Sequence, residues 1–190
     1  TQWMGGIGII LISLSIFLVV KSINIQIAAT EFSGSQIEKI NPRIKGVARR
    51  LLMIYGAITL AEALLLIAGG MPVFDAVCHS FSTLSTGGFS TRNNGIAAFA
   101  SPYITTIITL FMFIAGTNLV LVYFMFKGNF RKVTGNNEFV FYSGICAVFI
   151  VISTVILLLR GDIHTGKAIS EGAFHIISII STTGFYTQDY

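Results

Sequence analysis

The stretch FDAVCHSFSTLSTGGFST (residues 74–91) returns 96 residues later as SEGAFHIISIISTTGFYT (residues 170–187). In that register Asp75 meets Glu171, His79 meets His175, Ser82 meets Ser178, and Ser85-Thr86 meets Ser181-Thr182. Gly88-Phe89 meets Gly184-Phe185, and Thr91 meets Thr187. So many agreements in order, at one offset, mark an internal repeat. The apolar part of each copy, residues 73–85 and 169–181, is thirteen residues long. That is too short to cross roughly 30 Å of hydrocarbon and has the length of a re-entrant segment. A re-entrant backbone must be shielded by protein or line a water-filled cavity, because lipid offers its polar groups no partner. The pattern therefore points to a pore or a binding cavity.

The flanking sequence supplies the membrane. Segments at roughly 3–20, 51–69, 102–126 and 139–159 are apolar and long enough to span a bilayer. The third opens with Ser101-Pro102, an N-cap residue followed by Pro at the first helical position. Of the 190 residues 54% are hydrophobic and 11% charged, well under the roughly 25% charged of a soluble domain. Nine of the twelve Lys and Arg fall in the connections 21–50 and 127–138, which places both on the cytoplasmic side and both short segments on the outer side. The net charge of +4 is thus a topology signal, not a nucleic-acid patch. Cys78 and Cys146 lie within apolar segments and read as small buried hydrophobes. The chain opens on Thr1-Gln2-Trp3 without a basic leader and stops at Asp189-Tyr190, and both ends read as cuts within a longer protein.

Each copy of the repeat follows a span, so the unit is helix, short re-entrant helix, Ser/Thr/Gly loop, helix. Residues 1–23 then form the last helix of a preceding unit, 24–44 a cytoplasmic connection, 45–132 a complete unit, and 133–190 a unit lacking its last helix. The expected fold class is an all-α polytopic membrane protein. Several such loops facing one axis can replace a cation's hydration shell with backbone carbonyls. Glycine allows the backbone turns this needs, and the C-terminal end of each short helix turns partial negative charge towards the cavity.

STLSTGGFSTRN after FDAVCHSF, and SIISTTGFYTQDY, resemble the second and third pore loops of Trk-system potassium uptake membrane subunits, within the Trk/Ktr/HKT superfamily. NPRIKGVARRLLMIYGAITLAEALLL (41–66) is similar to that family's approach to the second repeat, and TQWMGGIGIIL (1–11) to the helix closing the first. The resemblance implies four repeats in pseudo-fourfold arrangement around one pore. It assigns Thr86, Gly87, Gly88 and Phe89 to the second filter strand, and Thr182, Thr183, Gly184 and Phe185 to the third. Glycine at both Gly88 and Gly184 is similar to the potassium-passing members. It further implies potassium as the transported ion with no cofactor, a bacterial inner-membrane location, a homodimer, and a cytoplasmic nucleotide-binding regulatory subunit. The first and fourth strands are not in this chain, so these 190 residues are not expected to conduct alone.

Other residues have sharper and plainer readings. Asp75 with His79, and Glu171 with His175, share a helix face at spacing four and could contribute to a metal sphere. A membrane metalloenzyme would need further ligands on the spans, where there are almost none; the remaining histidine, His164, sits in a loop. The plain reading is that these groups hold the short helices in place. Glu62, mid-span, either bonds a neighbouring helix or influences the ion path. Asn118 reads as an interhelical hydrogen-bonding residue and Trp3 as an interfacial anchor. No Ser–His–Asp, Cys–His or phosphate-cradling pattern stands out, so the chain reads as a non-enzyme. A re-entrant-loop permease for another small solute remains the main alternative.

Overall fold

In the computed structural model, residues 1–6, 41–159 and 165–187 are described, with the side chains of 41–48 excepted. Most of the expected first span and of the 24–44 connection, together with Arg160, His164 and residues 188–190, lie outside the described residues. The described residues contain helices and no strand. Residues 2–6 are helical, followed by α1 (Asn41–Ala68), α2 (Val73–Leu84), a 3-10 turn (Gly95–Phe99), α3 (Pro102–Ala115), α4 (Leu119–Phe126), α5 (Phe130–Thr134), α6 (Asn137–Leu159) and α7 (Thr165–Ile180). This is a polytopic helical membrane architecture.

Two helical stretches, Arg49–Ala68 in α1 and α6, are long and apolar enough to cross a membrane. Along α6 only Cys146 is buried, and Phe141, Phe149, Ile152 and Ile156 are exposed apolar surface. Such a helix is solvated by lipid or by further helices, since water would not tolerate that surface. The short helices α2 and α7 instead pack inward: α2 lies against α1 and α3, and α7 against α6 and α3. A core of Leu66, Ala76, Ile104, Ile108, Met112 and Phe174 joins α1, α2, α3 and α7.

The expected continuous span over 102–126 is instead a broken one: α3 and α4 meet at 112°. Ser101 and Pro102 do start α3 as N-cap and first helical residue, with Ser101 Oγ accepting from the Ile104 N–H at 3.5 Å. The break follows from Gly116-Thr117-Asn118. Gly116 caps α3, the Thr117 hydroxyl donates to the Ile114 carbonyl at 2.6 Å, and the Asn118 side chain accepts from the Val120 N–H at 3.0 Å to start α4. Asn118 is therefore a helix cap, not the interhelical group expected of it, and Asn is a favoured residue at that position. The bend leaves the Phe113 carbonyl without its helical donor, and the Tyr142 hydroxyl from α6 donates to it at 3.4 Å.

Trp3 is held within the protein: its indole stacks on Phe81 of α2 at 5.1 Å between centroids, and its N–H donates to Thr59 Oγ1 at 3.1 Å, fastening the first residues to α1 and α2.

Candidate functional site

Both short helices end in the same way. At the end of α2 the Gly87 N–H donates to the Ser82 carbonyl at 2.7 Å and the Thr86 N–H to the Thr83 carbonyl at 3.0 Å. At the end of α7 the Thr183 N–H donates to the Ser178 carbonyl at 3.0 Å and the Thr182 N–H to the Ile179 carbonyl at 3.0 Å. This is the Schellman pattern, in which a left-handed residue one past the cap lets two N–H groups satisfy orphaned helix carbonyls. Glycine usually holds that left-handed position. Here it is Thr86, with φ of 52°, and Thr182, with φ of 61°. A β-branched residue in that region is a true outlier. Two residues further, Gly88 and Gly184 are left-handed again, at φ of 66° and 80°.

The returning strand of each loop is stapled to its own helix by the repeat-matched side chains. In the copy at 74–91 the Phe89 N–H donates to Ser82 Oγ at 2.7 Å. In the copy at 170–187 the Ser178 hydroxyl donates to the Phe185 carbonyl at 2.7 Å. His79 Nδ1 lies 2.6 Å from the Asp75 carbonyl, an acceptor only, so Nδ1 carries the proton and Nε2 accepts from the Ser90 hydroxyl at 2.9 Å. His175 Nε2 lies 3.1 Å from Thr187 Oγ1. Asp75, in the first turn of α2, accepts from the Thr91 hydroxyl at 2.7 Å and from Arg92 at 2.8 Å. Both nitrogens of His79 and both oxygens of Asp75 are thus engaged in holding the loop. Thr91 above all, then Arg92, keeps the Asp75 carboxyl below the usual carboxylate range.

The two loops meet. A Cβ on Gly88 would collide with the Thr183 carbonyl oxygen, so the loops approach at a distance only glycine allows. A Cβ on Gly184 would meet no heavy atom within 4 Å among the described residues. Beyond the loops, the Tyr186 hydroxyl donates to the Asn93 carbonyl at 2.8 Å. Phe185 is buried in the shared core beside His79, with ring centroids 6.0 Å apart, whereas Phe89 is 68% exposed. Gln2 also belongs here: its side chain covers Gly87. Sequence reasoning missed Gln2 and Arg92 as loop-holding residues. Arg92 was marked only by being the lone basic residue of its loop, and Gln2 by nothing but its place beside Trp3.

The site is a pair of helix–loop hairpins whose glycine-containing turns lie side by side within a polytopic helical membrane protein. The whole chain, residues 1–190, matches the family model TrkH, described as a cation transport protein. The chain belongs to this family. It is 36% identical to the Trk system potassium uptake protein TrkH of Salmonella typhimurium, with 98% of this chain and 39% of that protein aligned. It is 33% identical to the protein of the same name from Halomonas elongata, over 100% of this chain and 40% of that one. Among solved structures it is similar to the crystal structure of the potassium transporter TrkH from Vibrio parahaemolyticus, with a TM-score of 0.81, 30% identity, and coverage of 98% of this chain and 38% of that one. The chain spans about two fifths of the length of these relatives.

Two outcomes test the geometry. Gly184→Ala should cost about 1–2 kcal/mol, the strain of a left-handed alanine. Gly88→Ala should cost a further ~1–3 kcal/mol because its methyl meets backbone. Unfolding midpoints in detergent would contradict this if the two variants were equal. Because folding depresses the Asp75 pKa, its stabilisation is complete above the unfolded carboxylate range and fades as pH falls through the folded value. Asp75→Asn should therefore be less stable than wild type at neutral pH, with the gap closing in acid; a gap that widens in acid would refute the assignment.

Proposed function

We propose that the chain is the central part of a potassium uptake protein of a bacterial inner membrane, and that residues 86–89 and 182–185 are two strands of its ion-selective filter. Potassium is the transported ion, and no cofactor or covalent chemistry is required. The names of the relatives support potassium as the ion.

The observation that carries the filter reading is the strained threonine. Thr86 and Thr182 occupy a position where glycine would relieve about 1–2 kcal/mol each. Neither hydroxyl has a hydrogen-bond partner among the described residues. Strain kept at the same place in both copies, with a hydroxyl left free, fits a group reserved for a ligand. A cation stripped of water takes such a hydroxyl together with backbone carbonyls. The negative ends of α2 and α7 add to the attraction.

The burial of Phe185 behind α2 also supports an annular arrangement. Each loop would lean on the short helix of the preceding repeat, and Phe89 would do the same against a repeat lying before residue 1. On this reading the repeats run over 1–23, 45–132 and 133–190, joined by the cytoplasmic connection 24–44, in pseudo-fourfold symmetry. The basic connections would face a cytoplasmic nucleotide-binding regulatory subunit, and the complete protein would be a homodimer.

The test uses the full-length protein in liposomes with rubidium and sodium flux. Thr86→Gly should leave the unfolding midpoint unchanged or raise it, yet lower rubidium flux and its preference over sodium about tenfold, one coordinating group being worth roughly 1.4 kcal/mol. Unchanged flux and selectivity in a stably folded variant would refute a filter role.

A further inference from the structure

Gly116, where α3 stops, is enclosed by two residues far from it in sequence. A Cβ there would collide with the Tyr142 hydroxyl of α6 and stand 3.1 Å from Ser181 Cβ, at the turn after α7. Its backbone is ordinary, with φ of −73° and ψ of −7°, so space alone forbids a side chain. Three residues earlier, Phe113 stacks on the Tyr142 ring at 5.1 Å between centroids, and its carbonyl accepts the Tyr142 O–H at 3.4 Å. The same arrangement recurs at the start of the chain. A Cβ on Gly6 would stand 3.0 Å from the Tyr55 hydroxyl of α1 and 3.4 Å from Ser85 Cα, at the turn after α2. Three residues earlier, Trp3 meets the Tyr55 ring at 5.4 Å between centroids. Ser85 and Ser181 are 96 residues apart, but Gly6 precedes Gly116 by 110 and Tyr55 precedes Tyr142 by 87. No single offset in the sequence reveals this joint.

Each joint reaches its loop through the serine. Ser181 Oγ lies 2.8 Å from Thr183 Oγ1, both residues being buried, and the Thr183 carbonyl is the group that a Cβ on Gly88 would strike. A shift at the end of α3 therefore passes through Ser181 and Thr183 to the place where the two loops meet. Tyr142 cannot swing aside, because its ring is stacked on Phe113, which Phe139 meets edge-on at 6.2 Å. A rigid phenol seated on a bare glycine sets the spacing of the elements it touches, since packed interiors transmit small displacements. We propose that Tyr142 and Tyr55 are positioning residues, each seating its hydroxyl on the glycine of the helix before it and so setting where the loop after Ser181 or Ser85 begins. The joints differ in strength. Tyr142 is held by packing and a hydrogen bond, whereas the buried Tyr55 hydroxyl has no hydrogen-bond partner among the described residues and is held by packing. The consequence for ion selectivity rests on the loops being the ion path; the joint itself does not.

The full-length protein, in detergent and in liposomes, tests both. Gly116→Ala should lower the unfolding midpoint and speed hydrogen exchange at the 181–185 amides. Adding Tyr142→Phe, which removes the struck oxygen, should recover part of both losses, a coupling that two unrelated defects would not show. Gly6→Ala with Tyr55→Phe should behave likewise at the first joint, with a smaller effect because the added methyl meets the hydroxyl at 3.0 Å. Losses that simply add at either joint would overturn the role of that tyrosine. In rubidium and sodium flux, Gly116→Ala should lose about threefold to tenfold in rubidium preference, up to the worth of one coordinating group, and Tyr142→Phe should restore part of it. Rescue of midpoint and exchange with selectivity unmoved would uphold the joint and count against the loops as the ion path. Should Gly116→Ala fail to fold, a folded double variant is the same rescue. Should neither fold, Tyr142→Phe alone decides: exchange at 181–185 should exceed wild type, and unchanged exchange would overturn the role.

Discussion

A helix that ends leaves its last carbonyls without intrahelical donors, and both short helices, too short to cross a bilayer, meet that constraint with the same backbone device. The left-handed residue after each cap turns two N–H groups back onto the helix, and the chain leaves in a new direction with its carbonyls satisfied. Everything nearby follows. The second left-handed residue, glycine in each copy, sets the course of the returning strand. Ser82 and Ser178 then take up the backbone of Phe89 and Phe185, and the histidines one turn earlier take the hydroxyls of Ser90 and Thr187. The polar residues of the repeat are a scaffold for a loop that could not hold its shape alone in an apolar surrounding.

The two copies are not equal in their neighbours. A Cβ on Gly88 would collide with the Thr183 carbonyl, while one on Gly184 would meet nothing within 4 Å among the described residues. Phe185 is inserted behind the second short helix, while Phe89 is exposed. The asymmetry fits the proposed annular arrangement, in which each repeat is completed by the one before it. The break between α3 and α4 belongs to the same logic. Gly116 lies where a side chain would meet Tyr142 and Ser181, so α3 ends against the turn that follows α7.

Much of this could be read from the sequence because the repeat is exact enough to compare residue with residue. The sub-spanning length of 73–85 and 169–181 showed that the helices stop short, and the glycines showed where the chain must turn. The broken span was not legible by hydropathy, since three polar or small residues disappear within a window of twenty apolar ones. The signal was nevertheless present: Gly116 followed by Asn118 is a helix stop followed by a helix start. The contacts of Trp3 with the face of Phe81 and the hydroxyl of Thr59 were not legible either, because no spacing rule links residue 3 to residues 59 and 81. Arg92 and Gln2 act through distance contacts that no spacing rule encodes.

The central claim is that the paired loops bind a dehydrated cation with their backbone and the threonine hydroxyls. The most direct measurement is the anomalous scattering of thallium or rubidium in crystals of the full-length protein. The account predicts a peak on the axis between residues 86–89 and 182–185, within coordinating distance of their carbonyl oxygens. A protein that transports the ion but shows its density only elsewhere, with these loops dry, would contradict it.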